Sequence, residues 1–345
     1  MNCNYLYRTT DRKGVFFERC SFFKGDAYSN VQEQIVSAKL YGLKGLLSKN
    51  RLANRLLRME PRCVERLDDD RFIICYSQSV CLLDFCNQSL SPIQTSRSGF
   101  SNPLNLCSDG QYVYWGDYGD NSTHEEVNIY RVDASLNTEV IYSFPKGAIR
   151  HIHNIIWDDA NKKFYILTGD LEETSGIYES DSEWKDVRPV VVGSQQYRAV
   201  VGFPYENGLV YATDSVSEEN QIYLLQDGGV KSLAPFPGSC IYGTETKDYY
   251  VFSSTVEPPE GRGFFNLFTY KLGKGIKDRY AHIITVRKSD LKVEEVYKAK
   301  KDIWPMKLFQ YGTFMFPKGQ NKSNDLFFNV VACKGDGETQ QIHLG

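Results

Sequence analysis

The stretch HIHNIIWDDANKKFYILTGDLEETSGIYESDSEWKDVRPVVVGSQQYRAVVGF, His151 to Phe203, carries the pattern that decides the fold. Four apolar or aromatic runs, HIHNII, KKFYILTGD, SGIYES and VRPVVV, alternate with Asp, Asn, Gly and Ser, and YRAVVGF then begins the cycle again. Runs rich in Ile, Val, Tyr and Phe between such turn formers read as strands. Four strands in a repeat of about 40 to 50 residues read as one blade of a propeller.

The same cycle extends in both directions, with first strands near Arg62, Pro103, Tyr197, Cys240 and Lys307. Six units emerge. The expectation is therefore all-β: a six-bladed β-propeller of four-stranded antiparallel blades, one domain over 1–345. The sixth unit stops after its third strand, TQQIHL, so the N-terminal run GVFFERCSFF (14–23) is expected to add the missing outer strand and close the ring, which leaves few exposed edges. Residues 30–58 break the pattern. Leu40, Leu43 and Leu47 stand at helical spacing among Lys39, Lys44, Lys49, Arg51, Arg55 and Arg58, which predicts one short basic helical insertion. Its Leu face packs on the first blade, or its basic face over 39–58 meets a membrane surface or a protein partner.

Composition narrows the function classes. With 345 residues, 41% of them hydrophobic, the chain can bury a large core. Lys and Arg number 40 against 43 Asp and Glu, a net charge of -3, so no global field exists to hold nucleic acid. The longest apolar runs, such as FIIC (72–75), fall far short of the roughly 20 residues of a membrane-spanning helix. The start MNCNYLYRTTDRKG lacks the apolar segment of a signal peptide, and nine irregularly spaced cysteines suit buried, reduced thiols. Both features predict a cytoplasmic protein, and the sequons at Asn87, Asn121 and Asn321 then read as chance.

Connections between first and second strands are tight, whereas those between second and third are long and polar, as in YGDNSTHEEV and LEETS. Function concentrates in such loops. Four second strands end there in an acid: Asp117, Asp170, Asp214 and Glu257. First strands begin on the same side with Arg150, His151, His153, Gln196, Arg198, Tyr242, Trp304 and Lys307. His151 and His153, two apart on a strand, are expected to share a face.

This set predicts a pocket for an acidic saccharide. Arg150 and Arg198 would hold a carboxylate with paired N–H donors. His153 would move protons, as would Tyr242 with its pKa lowered by Glu245. Asp170 and Asp214 would supply the carboxylates of glycosidic cleavage. His151, Gln196, Asp117, Glu257 and Lys307 would bind substrate, and Trp115, Tyr118, Trp304 and Tyr311 would stack on sugar rings. The alternative for each strand-end acid is a turn former bonding nearby amides. No cofactor is expected, because a His-x-His without a third ligand fixed by spacing is weak; a divalent metal stays open.

IYRVDASLNTEVIYSF (129–144) and IYESDSEWKDVRPVV (177–191) resemble eroded Asp-box hairpins, with Asp133 and Asp181 at the Asp position. Such hairpins are turns found in sialidases and other six-bladed BNR-type propellers. The Phe-Arg-Ile-Pro motif of sialidases is absent, and only Arg150 and Arg198 stand for their arginine triad. From Gln111 to Pro317 the chain also resembles bacterial propellers associated with polysaccharide biosynthesis. Together these imply cleavage of an acidic glycan or its precursor, by a hydrolase or a lyase. Two alternatives accompany it: a non-catalytic glycan- or protein-binding scaffold, and a metal-dependent lactonase-like hydrolase suggested by YATDSVSEENQIYLL (211–225).

Overall fold

The computed structural model describes residues 3–18, 20–29, 32–38, 47, 50–261 and 267–345. Seven antiparallel meanders follow one another: 4–37, 64–95, 107–144, 151–192, 199–236, 240–300 and 313–343. Six have four strands and the last has three. This is an all-β propeller with seven blades, not the expected six.

The extra blade is N-terminal. The run 14–23 is not one strand but a hairpin, Lys13–Glu18 against Ser21–Asp26, with Cys20 in the left-handed region at φ 67°. Asn4–Arg8 and Gln32–Ser37 flank it. Tyr5 stacks on Phe16 at 4.5 Å and Phe16 on Phe23 at 5.4 Å, so the blade has its own aromatic spine. The outer strand QEQIVS escaped notice because it buries only Val36 and lacks an apolar alternation. Among the described residues the C-terminal blade keeps three strands, Thr313–Met315, Asp325–Val331 and Thr339–His343. It meets the first blade through side chains: Tyr5 N–H donates to Asn329 Oδ1 (2.9 Å), and Asn329 Nδ2 donates to Tyr5 O (2.8 Å).

Two further expectations change. Within 30–58, residues 32–37 are strand, and among the described residues Leu47 is helical and a helix spans Arg51–Leu57. Asn50 caps it by accepting from Ala53 N (3.1 Å). Lys39, Leu40, Leu43, Lys44 and Lys49 lie outside the described residues. The segment from Lys307 does not begin as a strand, because Met306–Phe309 is a helical turn ended by Gln310 at φ 67°.

The chain divides into two compact units: 1–60 with 214–222 and 232–345, and 61–213 with 223–231. In the first, Phe314, Phe328, Val251 and Ile283 fill the space between the last two blades. In the second, Tyr114, Ile129, Phe164, Ile166 and Trp184 join the third and fourth blades, and Tyr165, Leu167, Leu209 and Tyr211 join the fourth and fifth. Each buried aromatic removes a large apolar area from water, the main term holding blades together. Trp115 belongs to this packing: it is 2% exposed and stacked on Tyr130, so it offers no ring to a sugar. No helix among the described residues is long and apolar enough to cross a membrane.

Candidate functional site

The chemistry-bearing residues of the second unit gather at the start of the fourth blade. In the strand pair His151–Asp158 and Lys163–Gly169, His151 faces Gly169 and Ile152 faces Thr168, but Asn154 then faces Leu167. His153 is the extra residue of a β-bulge, a device that re-aims a side chain. Gly169 gives it room, since a Cβ there would stand 2.3 Å from His153 Cε1.

Both histidines are buried, at 2% exposure each. His151 Nδ1 lies 2.6 Å from the carbonyl of Gly119, and His153 Nδ1 lies 2.9 Å from that of Ala199. A carbonyl only accepts, so both Nδ1 atoms carry a proton, which in the neutral tautomer leaves the lone pair on Nε2. Those Nε2 atoms stand 3.0 Å apart, with Asp170 Oδ1 at 3.1 Å from His153 and 3.5 Å from His151. Three acceptors thus converge on one spot. Burial pushes the His151 pKa down, favouring the neutral ring. Burial alone would raise the Asp170 carboxyl, but positive charge at the two imidazoles, which a proton or a cation between the Nε2 atoms would supply, outweighs burial and holds it well below the usual carboxylate range.

Converging lone pairs repel unless a proton or cation stands between them. Ligands about 2.0–2.2 Å from a divalent ion lie about 2.9–3.6 Å from one another when cis or tetrahedral, and the three atoms here are separated by 3.0, 3.1 and 3.5 Å. The Nδ1–H to carbonyl bonds are the outer-shell contacts that orient metal-binding imidazoles. His151, His153 and Asp170 therefore fit a divalent cation, and they form the one such group among the described residues.

Around them lies positive charge. Arg198 Nη2 is 3.3 Å from Asp170 Oδ1, and its Nη1 donates to Asp170 O at 3.1 Å. Arg150 Nη1 is 3.7 Å from Asp170 Oδ2, while its Nη2 pairs with Asp120 at 2.8 Å. The 118–121 loop organises this side: Gly119 holds His151, Asp120 holds Arg150, and Asn121 Nδ2 donates to Arg150 O. Asn121, only 4% exposed, is an internal brace and no glycan acceptor. The Tyr118 ring lies 4.7 Å from that of His151, and Arg62 Cζ lies 5.4 Å from the centroid of the Tyr118 ring. Sequence reasoning missed Asp120 and Gln195, although YGDN and GSQQY contain them. Gln195, rather than Gln196, donates to Asp170 O at 2.9 Å, because Ser194 caps a helical turn at Gln195–Tyr197. The backbone carbonyl of Gln196 accepts from Tyr211 OH.

The other expected site residues have surroundings of their own. Asp117 is buried beneath this loop, paired with Arg97 and accepting from Asn128 N (2.9 Å) and Tyr130 OH (3.4 Å); burial outweighs these bonds and raises its pKa. It anchors the loop. Asp214, Tyr242, Glu257, Trp304 and Lys307 belong to the first unit. There Glu257 accepts from Thr255 Oγ1, Trp304 packs on Phe309, and Lys307 Nζ donates to Gly261 O (2.7 Å). Burial pushes the Tyr311 phenol up to about 12. Glu245, expected to activate Tyr242, is bonded to Lys288 (2.8 Å).

The fold is similar to that of an oligogalacturonate lyase solved in complex with manganese, with a TM-score of 0.55 over 93% of this chain and 88% of that one at 10% identity. An oligogalacturonate lyase from Vibrio parahaemolyticus gives 0.54 over 91% and 87%, also at 10% identity. Kuenenia stuttgartiensis hydrazine synthase gives 0.51 over 79% and 74% at 14% identity. At such identities the likeness is one of fold. No family model and no curated protein matches the chain. The Asp-box, BNR and sialidase-like reading therefore has no support, although Asp133 and Asp181 do act as turn formers, accepting from Asn137 N (2.9 Å) and Lys185 N (2.8 Å).

Proposed function

We propose that this chain is a carbohydrate-active propeller enzyme that cleaves an acidic glycan by elimination, using a divalent cation held by His151, His153 and Asp170. The observation that carries this reading is the convergence of two Nδ1-protonated imidazoles and one carboxylate beside two arginines. A manganese-bound oligogalacturonate lyase among similar folds agrees with it. When bound, the cation would withdraw charge from a substrate carboxylate and so acidify the adjacent C–H.

The chain's own residues supply the rest. Arg198, fixed by Asp170 O and Gln195, and Arg150, at the more open edge, hold the uronate carboxylate. The proton on the carbon next to that carboxylate passes to a base, its electron pair forms the new C=C bond, and the glycosidic C–O bond breaks as the departing oxygen takes a proton from solvent water. Asp120, half exposed beside Arg150, is the carboxylate placed to accept the proton. His153 is not that base, because one ring nitrogen faces Ala199 O and the other faces His151 and Asp170.

Elimination is favoured over hydrolysis by the acids available. A glycosidase needs a protonated carboxyl as general acid, yet Asp170 is held ionised and Asp117 is enclosed by Arg97, Asn128 and Tyr130. The paired arginines favour a charged substrate over a neutral lactone. The test is to supply the manganese- or zinc-loaded chain with oligouronides and follow the absorbance of unsaturated ends. Product that disappears in Arg150→Ala and Asp170→Asn supports the reading; no turnover by the loaded chain across uronate and sialate oligosaccharides overturns it.

A further inference from the structure

Arg150 and Arg198 serve one carboxylate in the function proposed above, and a third arginine stands on the same side of the second unit. The first strands of that unit's blades are tied in sequence. Arg62 Nη1 donates to Asn102 O (2.9 Å) and Cys63 Sγ to Pro103 O (3.9 Å), while His153 Nδ1 donates to Ala199 O (2.9 Å) and Asn154 Nδ2 to Val200 O (2.9 Å). Asn105 Nδ2 links the two pairs by donating to His153 O (3.3 Å). Partners that advance together along both segments belong to segments of one direction. The residues that lead into these strands, Arg62, Arg150 with His151, and Arg198, therefore share one rim of the unit.

Arg62 differs from its peers there. Every other described arginine of the second unit pairs with a carboxylate, whereas half-buried Arg62 meets none among the described residues. Asn102 O holds its Nη1, and its Cζ lies 5.4 Å from the centroid of the Tyr118 ring, which lies 4.7 Å from the ring of His151. The same phenol ring thus touches both this guanidinium and the histidine pair. Among the described residues Nε and Nη2 have no hydrogen-bond partner, and neither is sealed from solvent. The stack on Tyr118 stabilises the charge without neutralising it. A positioned guanidinium with open donors and no counter-ion receives a carboxylate through its fork. That carboxylate belongs to a different sugar from the one held by Arg150 and Arg198, because those two stand at Asp170 and Arg62 does not.

We propose that Arg62 is a second carboxylate subsite, so that the substrate is an oligouronide with acidic groups on neighbouring sugars rather than a glycan with a single acid. The substrate class rests on the function proposed above, and the test therefore reads binding apart from turnover. It is isothermal titration of the manganese-loaded full chain, in an Asp120→Asn background that stops turnover, with galacturonate and with trigalacturonate. Arg62→Gln is expected to weaken trigalacturonate binding by about tenfold, the loss of a charge-assisted bond, with galacturonate affinity and manganese content unchanged. Arg62→Lys, which keeps the charge without the fork, retains only part of the trigalacturonate affinity. In the chain with Asp120 intact, Arg62→Gln raises KM for trigalacturonate and leaves kcat as it was. An Arg62→Gln chain that binds trigalacturonate as tightly as the parent, or that loses galacturonate equally, overturns the proposal, as does a parent that binds no trigalacturonate. Arg62-dependent binding without any unsaturated product overturns elimination and leaves the subsite standing; product without that dependence does the reverse.

Discussion

A methyl group on Gly169 would come within 2.3 Å of His153 Cε1, and the ring has little freedom to retreat because Ala199 O holds its Nδ1. Gly169→Ala is therefore expected to displace the imidazole and cost roughly 1–3 kcal/mol through overpacking. It should weaken binding of manganese or zinc, read by isothermal titration, by more than its effect on the melting temperature suggests. His151, His153, Asp170, Arg150 and Arg198 were legible in the sequence as residue types at strand starts and ends. The Nδ1 partners were not, since a backbone carbonyl such as Gly119 O or Ala199 O has no signature in residue type. Gln195 was passed over for Gln196 for a related reason: the cap formed by Ser194 turns the short helical segment by one residue.

At the scale of elements, the helix Arg51–Leu57 is tied down through Asp336. Burial would raise that carboxyl, but Arg51 and Arg55 outweigh burial and lower its pKa. A carboxylate depressed in the folded state contributes stability that is complete above the ordinary Asp value of about 3.9 and is lost as pH falls below it. Urea midpoints measured down a pH series should thus decline in the acid range, and Asp336→Asn should flatten that decline. At neutral pH the same change should cost roughly 1–3 kcal/mol, because buried Arg55 loses the Asp336 charge but keeps Asp302 and Phe309 O. The basic character of 51–58 was visible in sequence, but the direction of Arg51 and Arg55 was not: their acidic partners Asp302 and Asp336 lie more than two hundred residues away. The junction of first and last blades is similar. Asn329→Ala removes both bonds to Tyr5 and is expected to lower the urea midpoint by an amount corresponding to about 1–3 kcal/mol.

For the molecule as a whole, the repeat of four short strands was legible because each blade alternates Tyr, Phe, Ile and Val with turn residues. The count was not, because the N-terminal blade hides a hairpin within GVFFERCSFF and ends in a strand of polar residues. The division of the polar strand ends into those that bind one another and those that brace loops was equally hidden, since Asp117 and Asp170 occupy the same place in their repeats yet one meets Arg97 and the other two imidazoles. The account as a whole turns on a divalent ion among His151, His153 and Asp170. Its most direct test is elemental analysis of the intact chain equilibrated with manganese or zinc and then dialysed. The account predicts one ion per chain, lost in His153→Ala and Asp170→Asn while circular dichroism stays unchanged; a parent chain that retains no ion, or variants that retain as much, would contradict it.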